Sequence, residues 1–96
     1  MMPRPLHDDD YAKLVLLLRD VRKEAGVTQV ELARRLGIDQ SLVSKVERQE
    51  RRLDVAELRR VCLALGIPLG EFVARFEAAV ATHTTEKPDG LDEERP

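Results

Sequence analysis

Apolar residues return every three or four positions through most of this chain, and glycine cuts the resulting runs short. The backbone is thereby committed to several short helices rather than to strands or one long helix. Leu14, Leu17, Leu18 and Val21 make the first stripe, with Gly26 stopping a helix predicted over 10–25. Thr28, with Glu31 three residues on, reads as a reciprocal capping box opening a helix over 29–36 that Gly37 ends. Asp39 is placed to cap a third helix over 40–48. Its Val43 and Val46 face inward, while Gln40, Ser41, Ser44 and Lys45 share the opposite arc. Beyond the polar connector 49–53, Asp54 caps a fourth helix with Val55, Leu58, Val61, Cys62 and Leu65 on one side, ended by Gly66 and Pro68. A fifth amphipathic segment over 69–82 sets Phe72, Val73, Phe76 and Val80 on one stripe. No run alternates in the β manner, so the expected fold class is all-α with five helices.

A length of 96 residues suits one domain and leaves no room for a two-domain enzyme. Although 43% of the residues are hydrophobic, Tyr11, Phe72 and Phe76 are the only aromatics, so the core must be aliphatic. The lone Cys62 cannot form an internal disulfide and belongs to the fourth helix's apolar stripe, where it reads as a buried, inert thiol. No Cys/His spacing offers a zinc site, and no cofactor is expected. The longest apolar run, 14–18, is too short to span a membrane, and no signal sequence precedes it, so a cytoplasmic protein without a membrane partner is expected. The domain organisation reads as a flexible arm over 1–9, a helical domain over 10–82 and a disordered acidic tail over 83–96. Neither His7 nor His83 is assigned a role.

With 16 basic and 18 acidic side chains, the net charge of -2 names no polyanionic partner. Its distribution says more. Residues 1–10 and 77–96 are acidic, whereas 11–76 hold 13 basic and 9 acidic groups. A basic body between acidic ends can attract a phosphate backbone where the whole-chain average does not.

Two short helices joined by a tight turn form a helix-turn-helix, which can present its second helix to a DNA groove. The residues at this place are specific. Thr28-Gln29-Val30-Glu31-Leu32-Ala33, Leu36-Gly37-Ile38-Asp39-Gln40-Ser41 and Val43-Ser44-Lys45-Val46-Glu47-Arg48 follow one another, with Glu50-Arg51-Arg52-Leu53-Asp54-Val55 and Ala64-Leu65-Gly66 beyond. This string resembles the phage-repressor/Cro-like helix-turn-helix (XRE) family over about residues 11–76, which implies a lambda-repressor-like DNA-binding domain.

By matching position, the resemblance implies that Gln40 and Ser41, with Ser44 and Lys45 a turn later, meet base edges. A glutamine can bond adenine bidentately, and a lysine can approach guanine or a phosphate. Gln29, at a helix start where free N–H groups favour anions, is implied to touch phosphate and to brace Gln40. Arg48, Arg51 and Arg52 are candidates for neutralising phosphates, which positions a protein without reading sequence. Glu47 turns toward the core, where an unpaired carboxylate is costly; the family pairs that position with an arginine on the first helix, here Arg22. Many relatives carry glycine where this chain has Gln49. Positive φ is costly for glutamine, so the turn is expected to end differently and to move Arg51 and Arg52.

The resemblance implies a sequence-specific regulator of transcription, most simply a repressor. So small a module needs two copies on a palindrome, which predicts a homodimer through Phe72, Phe76 and Val80. Two alternatives stand beside it: an antitoxin that binds its own operator and a toxin protein, and a protein-interaction module without DNA binding. An enzyme is not expected, because no nucleophile lies near a histidine base and no glycine-rich phosphate loop is present.

Overall fold

The computed structural model describes residues 9–84, with the side chains of 9–81. The expected arm and tail therefore lie largely outside the described residues. Five helices follow one another: α1 Asp9–Glu24, α2 Gln29–Leu36, α3 Gln40–Glu47, α4 Val55–Leu65 and α5 Leu69–Thr84. No strand occurs among the described residues. The all-α expectation holds, with helix ends within two residues of those read from periodicity, an ordinary margin for frayed termini.

Asp9 and Asp10 in the first turn of α1 and Arg22 and Lys23 in its last turn each oppose the local end of the helix dipole. Leu18 and Val21 of α1, Leu32 and Ala33 of α2, Val43 of α3, and Leu58, Val61, Cys62 and Leu65 of α4 meet in one core. The helix pair α2–α3 is closed on one side by α1 and on another by α4, while α5 packs on α1 and α4. Phe72 is 0% exposed at the centre of that packing. Its placement corrects its assignment to a dimer face: the largest apolar group of an otherwise aliphatic core is needed to fill the chain's own interior. Cys62 is equally enclosed, and burial pushes its thiol pKa up.

Helix ends account for the turn that carries the site. Gly37 adopts φ 70°, so that its own N–H reaches the Arg34 carbonyl and the Ile38 N–H reaches that of Ala33. A Cβ at Gly37 would meet nothing within 4 Å, so glycine is required there by backbone conformation and not by space. After α3 the same paired bonds recur, Gln49 N–H to the Val46 carbonyl and Glu50 N–H to the Lys45 carbonyl, with Gln49 at φ 64°. The expectation that glutamine would make this turn end differently is thus corrected. Two satisfied carbonyls outweigh a left-handed penalty of about 1–2 kcal/mol.

Three further expectations change. Thr28 Oγ1 accepts from the Glu31 N–H at 3.0 Å, but the Glu31 carboxylate turns to Arg34 and Arg35, so only half the expected capping box forms. Asp39 occupies the N-cap of α3 without a side-chain cap bond, and its carboxylate instead accepts from the Ser41 hydroxyl at 3.0 Å. Val55 is 69% exposed, because the fourth-helix stripe begins one turn before neighbouring helices cover it. The complete reciprocal box belongs to α4, between Asp54 and Glu57.

Candidate nucleic-acid interface

Arg22, in the last turn of α1, is a buried cation. Its guanidinium donates from Nε to Glu47 Oε2 at 2.6 Å, from Nη2 to Glu47 Oε1 at 3.0 Å, and from Nη1 to the Val27 carbonyl at 2.8 Å. The two side chains are 9% and 8% exposed, so this is a bidentate pair held mostly away from water. Burial pushes the Glu47 carboxyl up, but the bonds from Arg22 and Gln29 and the charges of Arg22 and Arg19 lower it further, leaving a net depression.

From this pair the network runs outward. Gln29 Nε2 donates to Glu47 Oε1 at 2.9 Å, and Gln40 Nε2 donates to Gln29 Oε1 at 2.8 Å. Each amide orientation follows from the one behind it. A carboxylate only accepts, so Gln29 must offer its NH2 to Glu47; its oxygen is then left to accept, and Gln40 must donate. Gln40 thus stands exposed at the first position of α3 with its carbonyl oxygen and one N–H uncommitted within this network. That donor–acceptor pair is what an adenine edge requires.

The remaining candidates divide. Ser41 and Lys45 are exposed one turn apart on α3, and Ser44 lies half-buried one turn from Gln40. Ser44 Oγ accepts from Arg48 Nη1, while Arg48 also forks onto Glu50 at 3.0 and 3.1 Å. The Arg48 guanidinium holds the Glu50 carboxyl below its ordinary range. Arg51, half-buried, reaches Glu57 at 2.8 Å, and its bonds to that carboxylate, with the Asp54 N–H, depress the Glu57 carboxyl. Arg52 lies over the Tyr11 ring, 4.2 Å from its centroid. The structure therefore gathers Gln29, Gln40, Ser41, Ser44, Lys45 and Arg48 around α3, whereas Arg51 and Arg52 are directed to α4 and α1.

Sequence reasoning passed over three residues here. The Tyr11 hydroxyl donates to the Arg51 carbonyl at 3.4 Å and accepts from the Leu53 N–H at 3.2 Å, fastening the connector behind α3 to α1. Its status as the only tyrosine was the available signal. Glu50 and Glu57 neutralise two of the candidate phosphate-binding arginines. Glu57 was legible as the third residue after a capping aspartate; Glu50 carried no comparable mark. Glu31, bonded first by Arg34 and then by Arg35, has its pKa lowered to about 2. Arg35 also donates to the Ala64 carbonyl at 2.8 Å, tying α2 to the end of α4.

Among the described residues no group of His, Cys, Asp and Glu is arranged to hold a metal ion, and no helix is long and apolar enough to cross a membrane.

The helix-turn-helix family profile matches residues 18–72. A hypothetical transcription factor of Neisseria meningitidis serogroup B is 34% identical over 68 residues, which are 69% of this chain and 64% of that protein. This chain thus matches less than two thirds of that relative's length. An XRE-family-like protein from Pseudomonas syringae pv. tomato superposes with TM-score 0.70 at 46% identity, covering 73% of this chain and 85% of the other. The clp gene regulator ClgR from Corynebacterium glutamicum gives 0.69 at 27% identity, covering 88% and 86%. The restriction-modification controller protein C.Esp1396I, in a tetramer with its natural 35 base-pair operator, shares the fold at TM-score 0.72 and 23% identity, over 78% of this chain and 99% of that one. With the turn, the exposed start of α3 and the Arg22–Glu47 pair in place, the chain belongs to the XRE-type helix-turn-helix family of DNA-binding regulators.

Proposed function

We propose that this protein is a sequence-specific double-stranded DNA-binding regulator of transcription, acting as a repressor by occupying a palindromic operator as a homodimer. The observation that carries the reading is the relay Arg22–Glu47–Gln29–Gln40. It spends a buried ion pair on orienting one exposed amide at the start of the second helix of the turn. A solvated surface glutamine needs no such scaffold, whereas a base-reading one must be held in a single orientation to discriminate. Ser41, Ser44 and Lys45 extend the reading face, and Gln29 and Arg48 serve the backbone. Arg51 and Arg52 contribute charge from the connector.

The dimer face follows from what the core leaves over. Val73 is 39% exposed, and Phe76 and Val80 are half-buried along α5 beyond Phe72. These residues form the surface we assign to the second copy. A controller protein of the same fold forms a tetramer in complex with its operator, so assembly of several copies on DNA is compatible with this fold. Selection of bound duplexes from a random pool tests the reading: one enriched palindrome is expected, and no enrichment at low salt refutes it. Sedimentation showing a monomer both free and on DNA refutes the homodimer alone.

A further inference from the structure

Behind α3 the packing is incomplete. A cavity of about 130 Å³ lies between the helix-turn-helix and α4, walled inside the core by Leu32, Val43, Val46 and Val61. It reaches solvent beside Ile38, 40% exposed, and Arg60, also exposed. A space of this size holds one six-membered ring, and an apolar space gains by being filled because it offers water few partners. Four charged groups stand along it. Glu47 is satisfied by Arg22 and Gln29, and Arg51 and Glu57 satisfy each other. Arg60 makes no hydrogen bond or ion pair with any described residue, although its charge is felt by Glu57. An apolar cavity with a single unmatched guanidinium at its mouth is complementary to a compact apolar body carrying one negative charge. A second carboxylate would face Glu47 and Glu57.

We infer that this cavity is a binding site for a small apolar monocarboxylic acid, its ring or short alkyl body seated between α3 and α4 and its carboxylate paired with Arg60. Because Leu42, Val43 and Val46 of α3 are among the cavity walls, occupancy changes the seating of the helix proposed to read DNA. Coupling to operator affinity rests on the function proposed above and is reciprocal.

The site itself is tested without DNA. The full chain, labelled with nitrogen-15, is titrated with sodium benzoate and separately with benzyl alcohol, and backbone amide shifts are followed in wild type and in Arg60→Gln. Benzoate is expected to give saturable shifts confined to the residues around the cavity, in α2, Ile38, α3, the connector and α4 and at Leu18 of α1. Arg60→Gln should weaken benzoate about tenfold, the scale of one charge-assisted contact, and leave benzyl alcohol unchanged. Shifts that do not saturate, that lie on other faces, or that keep the same benzoate affinity in Arg60→Gln overturn the inference. Arg60 is exposed and unpaired, so the variant folds. A positive titration with no effect on operator binding would remove the proposed coupling while leaving the site.

Discussion

Replacing Glu47 with alanine should cost about 3–5 kcal/mol of folding stability, because it strands a buried cation. The Arg22 side chain is 9% exposed and loses both bonds from Nε and Nη2, keeping only the Val27 carbonyl at 2.8 Å. Gln29 also loses its acceptor, but it is half-buried and can turn to water, so it adds little. For a domain of this size, total stability at about 0.05–0.15 kcal/mol per residue is of the same order as the loss. The variant should therefore sit at the edge of unfolding. Urea denaturation followed by far-ultraviolet circular dichroism at neutral pH measures it. Arg22→Met combined with Glu47→Leu should recover more than half of the deficit, since an apolar pair of similar volume removes both charges. The pH dependence follows from the depressed folded pKa of Glu47. Its contribution is complete above the ordinary value of 4.5 and is lost as pH falls through the lower folded value, so the deficit of Glu47→Ala should shrink in acid. A Glu47→Ala protein within about 1 kcal/mol of wild type, or a double variant no more stable than the single, would show that the pair is not the buried strut inferred here.

Three further outcomes are expected. Gln40→Ala should cost about 1–3 kcal/mol on the selected operator and relax preference at one base pair, read by fluorescence anisotropy on single-base variants; equal loss on random DNA would contradict base reading. Glu50→Gln should free Arg48 and strengthen binding to random duplex by up to about fivefold, the scale of an exposed ion pair. Glu77→Gln, the same charge change on the exposed side of α5, is the control, and an equal gain there would deny Arg48 the part. Gln49→Gly should stabilise the fold by about 0.5–1 kcal/mol, because relief of the left-handed backbone exceeds the added freedom of the unfolded chain. A thermal melt should show Tm rising by about 2–6 °C.

Local signals were legible where a single helix decides the matter. Thr28, Asp54, Gly26, Gly37 and Gly66 mark ends that backbone hydrogen bonding must satisfy within a few residues, and the structure places helix ends beside each of them. Leu18, Val21, Val43, Val46, Leu58, Val61 and Leu65 were legible as core from spacing alone, and all are buried. Phe72 and Phe76 could not be separated in that way. They lie one turn apart on the same stripe, and only the approach of α1 and α4 buries the first completely and the second in part. Val55 shows the same limit at the other end of a stripe.

Sequence by itself determined the five helices, the turn between the second and third, and the family, because periodicity, caps and turn residues act over a few positions of one chain. Tertiary structure decided which charges answer one another. Arg48 could have met a phosphate or Glu50 and Arg51 a phosphate or Glu57, and the path of the connector between α3 and α4 decides both; Tyr11 could have met a core neighbour or the connector, and its bond from Leu53 spans 42 positions of sequence. The cavity beside Arg60 belongs to the same class, since a void is a failure of several helices to meet and no one helix carries its signature.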